Sequence, residues 1–317
     1  MEGLQYGKYK FSCQLNTDAI LPIYKGSTFR GVFGLALKKV VCALKQQECS
    51  ECLLKKRCLY TRVFETPLAV EAPPELRMSV PPHPFVIEPP LTDKMEYGKG
   101  DSFDCTLLLM GPVNQSLPYF IYAFEQIGRI GIGRKINGRR GRFILKTVSS
   151  NGNIIYTDQD EKLRLDQPAM LLSMPDQADV SEKVFQAQVT LNTPLRLKSN
   201  NRITSDLPFH VLAGAMLRRL SSLFICYAGA EPKLDYKGLI DRAKKIKVKE
   251  NNLTWHAWER YSNRQKQRMP LGGMIGTITY EGPLGEYLPL LEFCSKVHIG
   301  KNTSFGLGKM GISMISK

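Results

Sequence analysis

The chain has 317 residues, 43% of them apolar, and its 44 Lys and Arg against 29 Asp and Glu give a formal net charge of +15. That length suits two domains, each able to bury its own core, and the charge predicts attraction to polyanions, nucleic acid first, with binding that weakens steeply in salt. No long amphipathic helix with one cationic face, no cationic-then-apolar leader in MEGLQYGKYK and no apolar stretch of membrane-spanning length is evident, which argues against a membrane partner and predicts a cytoplasmic protein whose eight cysteines are mostly reduced.

Tyr9, Phe11, Cys13 and Leu15 alternate with Lys10, Ser12, Gln14 and Asn16, the pattern of a strand with one apolar face. After Leu21-Pro22 comes a helix whose Phe29, Val32, Phe33, Ala36, Leu37, Val40, Val41 and Leu44 form one broad apolar stripe. Cys42, Cys49, Cys52 and Cys58 follow. Four thiolates so spaced can wrap a structural zinc ion or carry an iron-sulfur cluster, and free thiols or a disulfide are the alternatives. Pro67, Pro73, Pro74, Pro81, Pro82, Pro84, Pro89 and Pro90 then forbid helix and predict a stiff, extended surface crossing, so residues 42–90 read as an insert. A strand from Ser102 to Met110 precedes a Gly111-Pro112 turn and a second helix. IGIGRKINGRRGRF, from Ile130, closes the unit.

The same order recurs. Phe185, Ala187, Val189 and Leu191 alternate with Gln186, Gln188, Thr190 and Asn192, and Leu207-Pro208 opens a helix carrying Leu212, Met216, Leu217, Leu220, Leu223 and Phe224. The basic run DRAKKIKVK reads equally as a solvated helix or loop and as a nucleic-acid contact. A strand from Gly276 to Glu281 then leads to GPLGEYLPL, which repeats GPVNQSLPY of the first half, and to VHIGKNTSFGLGKM. Gly133, Arg134, Gly141 and Arg142 align without a gap on Gly300, Lys301, Gly308 and Lys309. Two copies of strand, helix, strand, strand, helix, strand predict an α+β fold of tandem ferredoxin-like domains, with antiparallel sheets and helices on one face. The polar, acidic Thr157 to Lys183 separates them, placing the domains at 1–178 and 179–317.

Several runs resemble the CRISPR-associated RAMP endoribonucleases that process precursor CRISPR RNA: LPIYKGSTFRGVFGLALKK, CSECLLKKRCLYTRVFE, PPHPFVIEPP, RYSNRQKQRMPLGGMIGTITYEG and HIGKNTSFGLGKM. The resemblance implies a protein that binds CRISPR repeat RNA, alone or with other CRISPR effector subunits, and cuts it once without metal. A 2′-hydroxyl attacks the adjacent phosphate and leaves a 2′,3′-cyclic phosphate, which needs a base, an acid and a cation. Relatives often carry a histidine in or near the first helix with a tyrosine ahead of it; here Tyr24 is present, but no histidine lies between Ala19 and Leu68. Proton transfer then falls to His298, beside Lys301 at the mouth of the terminal glycine loop, to His256 between the two tryptophans of LTWHAWERYS, or to Tyr24 with lysines. The alternative is a non-catalytic RNA-binding RAMP subunit.

Of the other histidines, His83 in the proline-rich crossing reads as an exposed residue and His210 as a packing or capping one. Phosphate is expected at the glycine loops, where backbone amides can come close, through Gly300, Ser304, Gly306, Gly308 and Lys309 in one half and Arg134, Lys135, Arg139, Arg140 and Arg142 in the other. Arg260, Arg264, Lys266 and Arg268, with Tyr261 as a stacking ring, form a further cationic segment.

Overall fold

The structure, a computed structural model, describes residues 3–45, 47–71, 80–165, 169–174, 184–199, 202–203, 206–262 and 267–315. Its first half runs β1 (Leu4–Leu15), β2 (Ala19–Ile20), α1 (Gly26–Val41), α2 (Leu59–Phe64), β3 (Phe85–Glu88), β4 (Glu96–Tyr97), β5 (Ser102–Met110), α3 (Leu117–Ile130), β6 (Ile132–Ile136), β7 (Arg139–Gly141), β8 (Phe143–Ser150), β9 (Asn153–Thr157) and β10 (Met170–Leu172). The second half runs β11 (Val184–Leu195), β12 (Lys198–Ser199), β13 (Arg202–Ile203), α4 (Phe209–Tyr227), α5 (Tyr236–Ala243), β14 (Lys247–His256), β15 (Glu259–Ser262), β16 (Gln267–Pro270), β17 (Gly273–Pro283), α6 (Leu288–Val297) and β18 (Met310–Ile315).

Each half has one main antiparallel sheet, ordered β3-β5-β1-β8-β9 with β10 beside the start of β1 in the first, and β14-β17-β11-β18 in the second. In both, the opening strand is central and the closing strand of the unit lies beside it, which is the ferredoxin-like arrangement the repeated element order predicts. A small side sheet, β4-β2-β6-β7, flanks the first half, and β15 pairs with β16 as a separate hairpin. The expected domain boundary near Asp179 falls outside the described residues.

Among the described residues two large cores, and a small cluster of Leu271, Phe305 and Leu307 against Tyr24 and Trp258, hold the molecule. One belongs to the first half and gathers Phe11, Cys13, Phe29, Phe33, Phe85, Leu107, Leu109, Phe120 and Phe124 between sheet and helices. The second joins the halves, because Leu4, Tyr6, Val86, Leu108 and Met110 leave the back of the first sheet and pack with Leu217, Leu220 and their neighbours in the second half. Leu107-Leu108-Leu109-Met110 is apolar at every position for that reason: this end of β5 is buried on both faces. At roughly 1.5–3 kcal/mol for each large apolar side chain taken from water, the joint is a strong one.

Two expectations are corrected by this packing. The proline-rich stretch is no mere surface crossing: Phe85, Val86 and Ile87 are fully buried in edge strand β3, with Pro84 and Pro89 just outside it, where a missing amide donor costs no ladder bond. One helix, α4, does reach membrane-spanning length and apolarity, but 72% of its apolar window is buried inside the protein, as a core helix requires.

Candidate nucleic-acid interface

The terminal glycine loop is a joint between the halves. Tyr24, just ahead of α1, donates its hydroxyl to the Phe305 carbonyl at 2.8 Å, and its ring meets Trp258 edge-on at 4.7 Å. One turn into α1, Arg30 donates through Nε to Ser304 Oγ at 2.9 Å and through its terminal nitrogen to His83 Nε2 at 3.3 Å. The guanidinium groups of Arg30 and Arg260 lie 4.4 Å and 4.6 Å from the centre of the Phe305 ring. Lys25, fully buried under this contact, donates to the carbonyls of Ile23 and Thr92, and burial lowers its pKa against the pull of Asp93.

Inside the loop the backbone is already committed. The amides of Lys301, Phe305, Gly306 and Gly308 donate to the carbonyls of Arg196, Asn302, Thr303 and Pro194, and that of Lys309 to Thr193 Oγ1. Gly308, at φ +71°, sits so close to Ile299 that a Cβ would fall 1.8 Å from its carbonyl oxygen. This glycine therefore serves a close backbone crossing.

His298 has 0% exposure, with Nδ1 3.1 Å from the Leu307 carbonyl and Nε2 2.8 Å from Glu88 Oε1. Lys309 Nζ reaches the same carboxylate oxygen at 3.0 Å. Burial would push the Glu88 pKa up, but the hydrogen bond and charge of His298, with Lys309, hold it down at about 2. Glu88 lies on β3 of the first half, so this triad, buried at His298 and partly exposed at Lys309, ties the halves together. Arg219 of α4 completes the joint, donating to the carbonyls of Val297 and His298 at the end of α6.

The sequence-predicted residues therefore part company. His298 is out of reach of any substrate and acts as a structural link. Tyr24 commits its proton to a carbonyl, and burial, helped by Glu88, pushes its pKa well above the ordinary value, which makes it a poor base. Lys309 faces Glu88 and Ser304 faces Arg30, so neither presents itself to phosphate; Gly300, Gly306 and Gly308 lie in the packed loop. Lys301 is exposed at the loop's mouth.

His256 ends β14 exposed, with no side-chain hydrogen-bond partner among the described residues. The strand stops there, so Trp258 is free to turn inward onto Tyr24 instead of sharing a strand face with Trp255. Arg260, half-buried, has an Nε without a hydrogen-bond partner among the described residues. Arg264 and Lys266 lie outside the described residues, and of Arg268 only the backbone, paired with Tyr261 across the β15–β16 hairpin, is described. Arg134, Lys135, Arg139, Arg140 and Arg142 are all exposed on or beside β6 and β7.

The four cysteines do not assemble. Among the described residues no three His, Cys, Asp or Glu side chains gather to hold a metal ion, and all four thiols are free. Cys42 is the C-cap of α1 and Cys58 the N-cap of α2, and Cys49 lies near enough to both that they add to the burial that raises its pKa.

Sequence reasoning missed Arg30, His83, Glu88 and Phe305. His83 is half-buried, not exposed: Nε2 accepts from Arg30 and Nδ1 meets Thr66 Oγ1 at 2.8 Å, while burial first and Arg30 second lower its pKa to about 4. One signal was available. Arg30 directly follows Phe29 of the buried α1 stripe, a place where a cation needs partners from elsewhere in the fold.

Comparison with known proteins gives matching results for the two halves. Residues 4–168 match the profile of the AF_1859 N-terminal domain, and residues 189–310 that of the CRISPR-associated endoribonuclease Cas6. An uncharacterized protein of Archaeoglobus fulgidus is 29% identical over 112 residues, 35% of this chain and 37% of its own length. Among solved structures, a chain of a partial Cas6-RT-Cas1–Cas2 complex superposes with a TM-score of 0.60 at 14% identity, over 100% of this chain and 47% of that one. Thermus thermophilus Cas6 superposes at 0.52 and 14% identity over 99% and 100%, and a Cas6 product complex at 0.55 and 16% over 98% and 99%. The chain thus spans less than half the length of the first of these structures and of the curated relative, and the structural likenesses establish the fold. Through residues 4–168 the chain belongs to the AF_1859 N-terminal domain family, and its residues 189–310 are similar to the CRISPR-associated endoribonuclease Cas6.

Proposed function

We propose that the protein is a CRISPR RNA-processing endoribonuclease that binds repeat RNA against the joint between α1 and the glycine loop and cuts it without metal. The 2′-hydroxyl loses its proton and attacks the adjacent phosphorus, the bond to the 5′-oxygen breaks, and that oxygen leaves with a proton, giving a 2′,3′-cyclic phosphate. His256 is the proton carrier and solvent supplies the second transfer. Arg260 and Lys301 offset the charge that develops on phosphorus.

The observation that carries this reading is the place of His256. Of the four histidines, His298 is buried and His83 has both ring nitrogens engaged, while His210 is half-buried in the first turn of α4. His256 alone among them is exposed, two residues from the Trp258 that packs on Tyr24. Histidine is the side-chain type suited to both taking and returning a proton near neutrality.

The test is incubation of the full chain with cognate repeat RNA in EDTA, beside RNA with one 2′-deoxy at the cut. The expected result is cleavage of the first and not the second, with His256→Ala slowing the cut by roughly a hundredfold. Normal RNA that is tightly bound yet intact would instead mark a non-catalytic RAMP subunit, a reading favoured by the absence of a first-helix histidine. Other CRISPR proteins are proposed as partners, supported by the likeness to a chain of a Cas6-RT-Cas1–Cas2 complex.

A further inference from the structure

The two glycine segments that align in sequence have opposite fates in the fold. The terminal one is buried in the joint. Its counterpart in the first half projects as the β6–β7 hairpin, where Arg134, Lys135, Arg139, Arg140 and the adjoining Arg142 are all exposed. Arg129, at the end of α3, adds a sixth exposed cation. None of the six has a carboxylate partner among the described residues, although the protein pairs cations elsewhere, as in Lys10–Asp104 and Lys146–Asp158. The nearby acids are engaged or set apart: Asp18 accepts the Lys99 amide, Asp101 pairs with Lys94, and Glu96 lies on β4, across β2 from the hairpin.

The hairpin is also rigid and aimed. Its turn, Asn137 at φ 48° and Gly138 at φ 80°, has both central residues in the left-handed region, the two-residue form that matches strand twist. Gly133 locks β6 onto β2, since a Cβ there would lie 2.2 Å from the Ile20 carbonyl oxygen. Ile20 pairs with Arg134, and Tyr24 at the joint follows four residues later, about 14 Å at most along extended chain. At about 3.4 Å per nucleotide of stacked strand, that is a reach of about four nucleotides.

We propose that the β6–β7 hairpin is a second RNA-backbone site, which grips phosphates of the precursor a few nucleotides away from the bond positioned at the joint. This rests on the RNA-processing reading above and adds to it a division of labour. The joint holds the reacting nucleotide, and the hairpin supplies salt-sensitive affinity for the flanking strand. Unpaired guanidinium groups on a fixed hairpin backbone suit phosphodiester oxygens through paired donors, whereas a protein partner would need an apolar centre that these side chains do not offer.

The experiment measures binding of the full chain to non-cleavable repeat RNA carrying the 2′-deoxy, long or trimmed on either flank, across a salt series. The wild type is compared with the triple variant Lys135→Ala, Arg139→Ala, Arg140→Ala and with a distant control, Lys244→Ala, which removes a surface cation paired with Asp241. The triple variant should lose tenfold or more in affinity for the long RNA, and its salt slope should fall by about 2, near 0.7 for each lost single-strand contact. RNA trimmed on the gripped flank should bind variant and wild type alike, and an Arg139→Lys, Arg140→Lys variant should keep the slope. Equal losses on long and trimmed RNA, or an unchanged slope, would overturn the proposal; circular dichroism of each variant excludes misfolding as the cause. Wild type that shows the full pattern but leaves cleavable RNA intact would sink the nuclease reading and leave the hairpin site standing.

Discussion

Replacing Glu88 with Gln tests whether the His298–Glu88–Lys309 triad holds the halves together. The carboxylate is held at about 2 in the folded protein against 4.5 for a free glutamate, a difference of about 2.5 units or about 3 kcal/mol. Because the folded value is depressed, this stabilisation is fully present above about pH 4.5 and disappears as the pH falls through about 2. Glu88→Gln should therefore unfold about 3 kcal/mol more easily at pH 7, since His298, fully buried, loses its charged acceptor and Lys309 its ion pair. Denaturant unfolding of both proteins at a series of pH values is the assay. Exposed carboxylates such as Asp104 and Asp235 also have lowered pKa values, so the informative quantity is the difference between the two proteins, in which those cancel. That difference should shrink from about 3 kcal/mol toward zero between pH 4.5 and 2. A gap below about 1 kcal/mol at pH 7, or one that persists undiminished in acid, would refute the assignment.

Two further outcomes follow from the same joint. Tyr24→Phe removes only the hydroxyl that holds the Phe305 carbonyl, so RNA cleavage should slow tenfold or less; a loss of a hundredfold would restore the phenol to the chemistry. Arg219→Met keeps apolar bulk but leaves the buried carbonyls of Val297 and His298 without their donor, which should cost about 2 kcal/mol or more in denaturant unfolding, and an unchanged midpoint would refute this.

The repeated element order was legible because it rests on local pattern. Alternation marked β1 and β11, the apolar stripe marked α1, and Leu-Pro marked the start of α3 and of α6, where proline fits the first turn. Strand β14 was legible only at its end, in LTWHAWERYS, because nearly every residue in it is exposed, leaving no alternation for an edge strand to show, and its DRAKKIKVK neighbourhood divides into the end of α5 and the start of β14. Strand β3 was hidden by its flanking prolines. The candidate site was less legible still, since its ties are long-range: Glu88 meets His298 across 210 residues and Arg30 meets Ser304 across 274. No local window carries such information. The alignment of the two glycine segments was visible, but not that one copy faces inward.

The shared second core bears on how the molecule can be dissected. Val86, Leu108 and Met110 sit on the back of the first sheet and are dry only while the partner module covers them. Severing the chain at the linker would wet that patch, and the isolated amino-terminal fragment would be expected to stick to itself through it. Evolution by duplication has here produced twins that no longer stand apart, so any truncation study of either one must reckon with a wound as well as an omission.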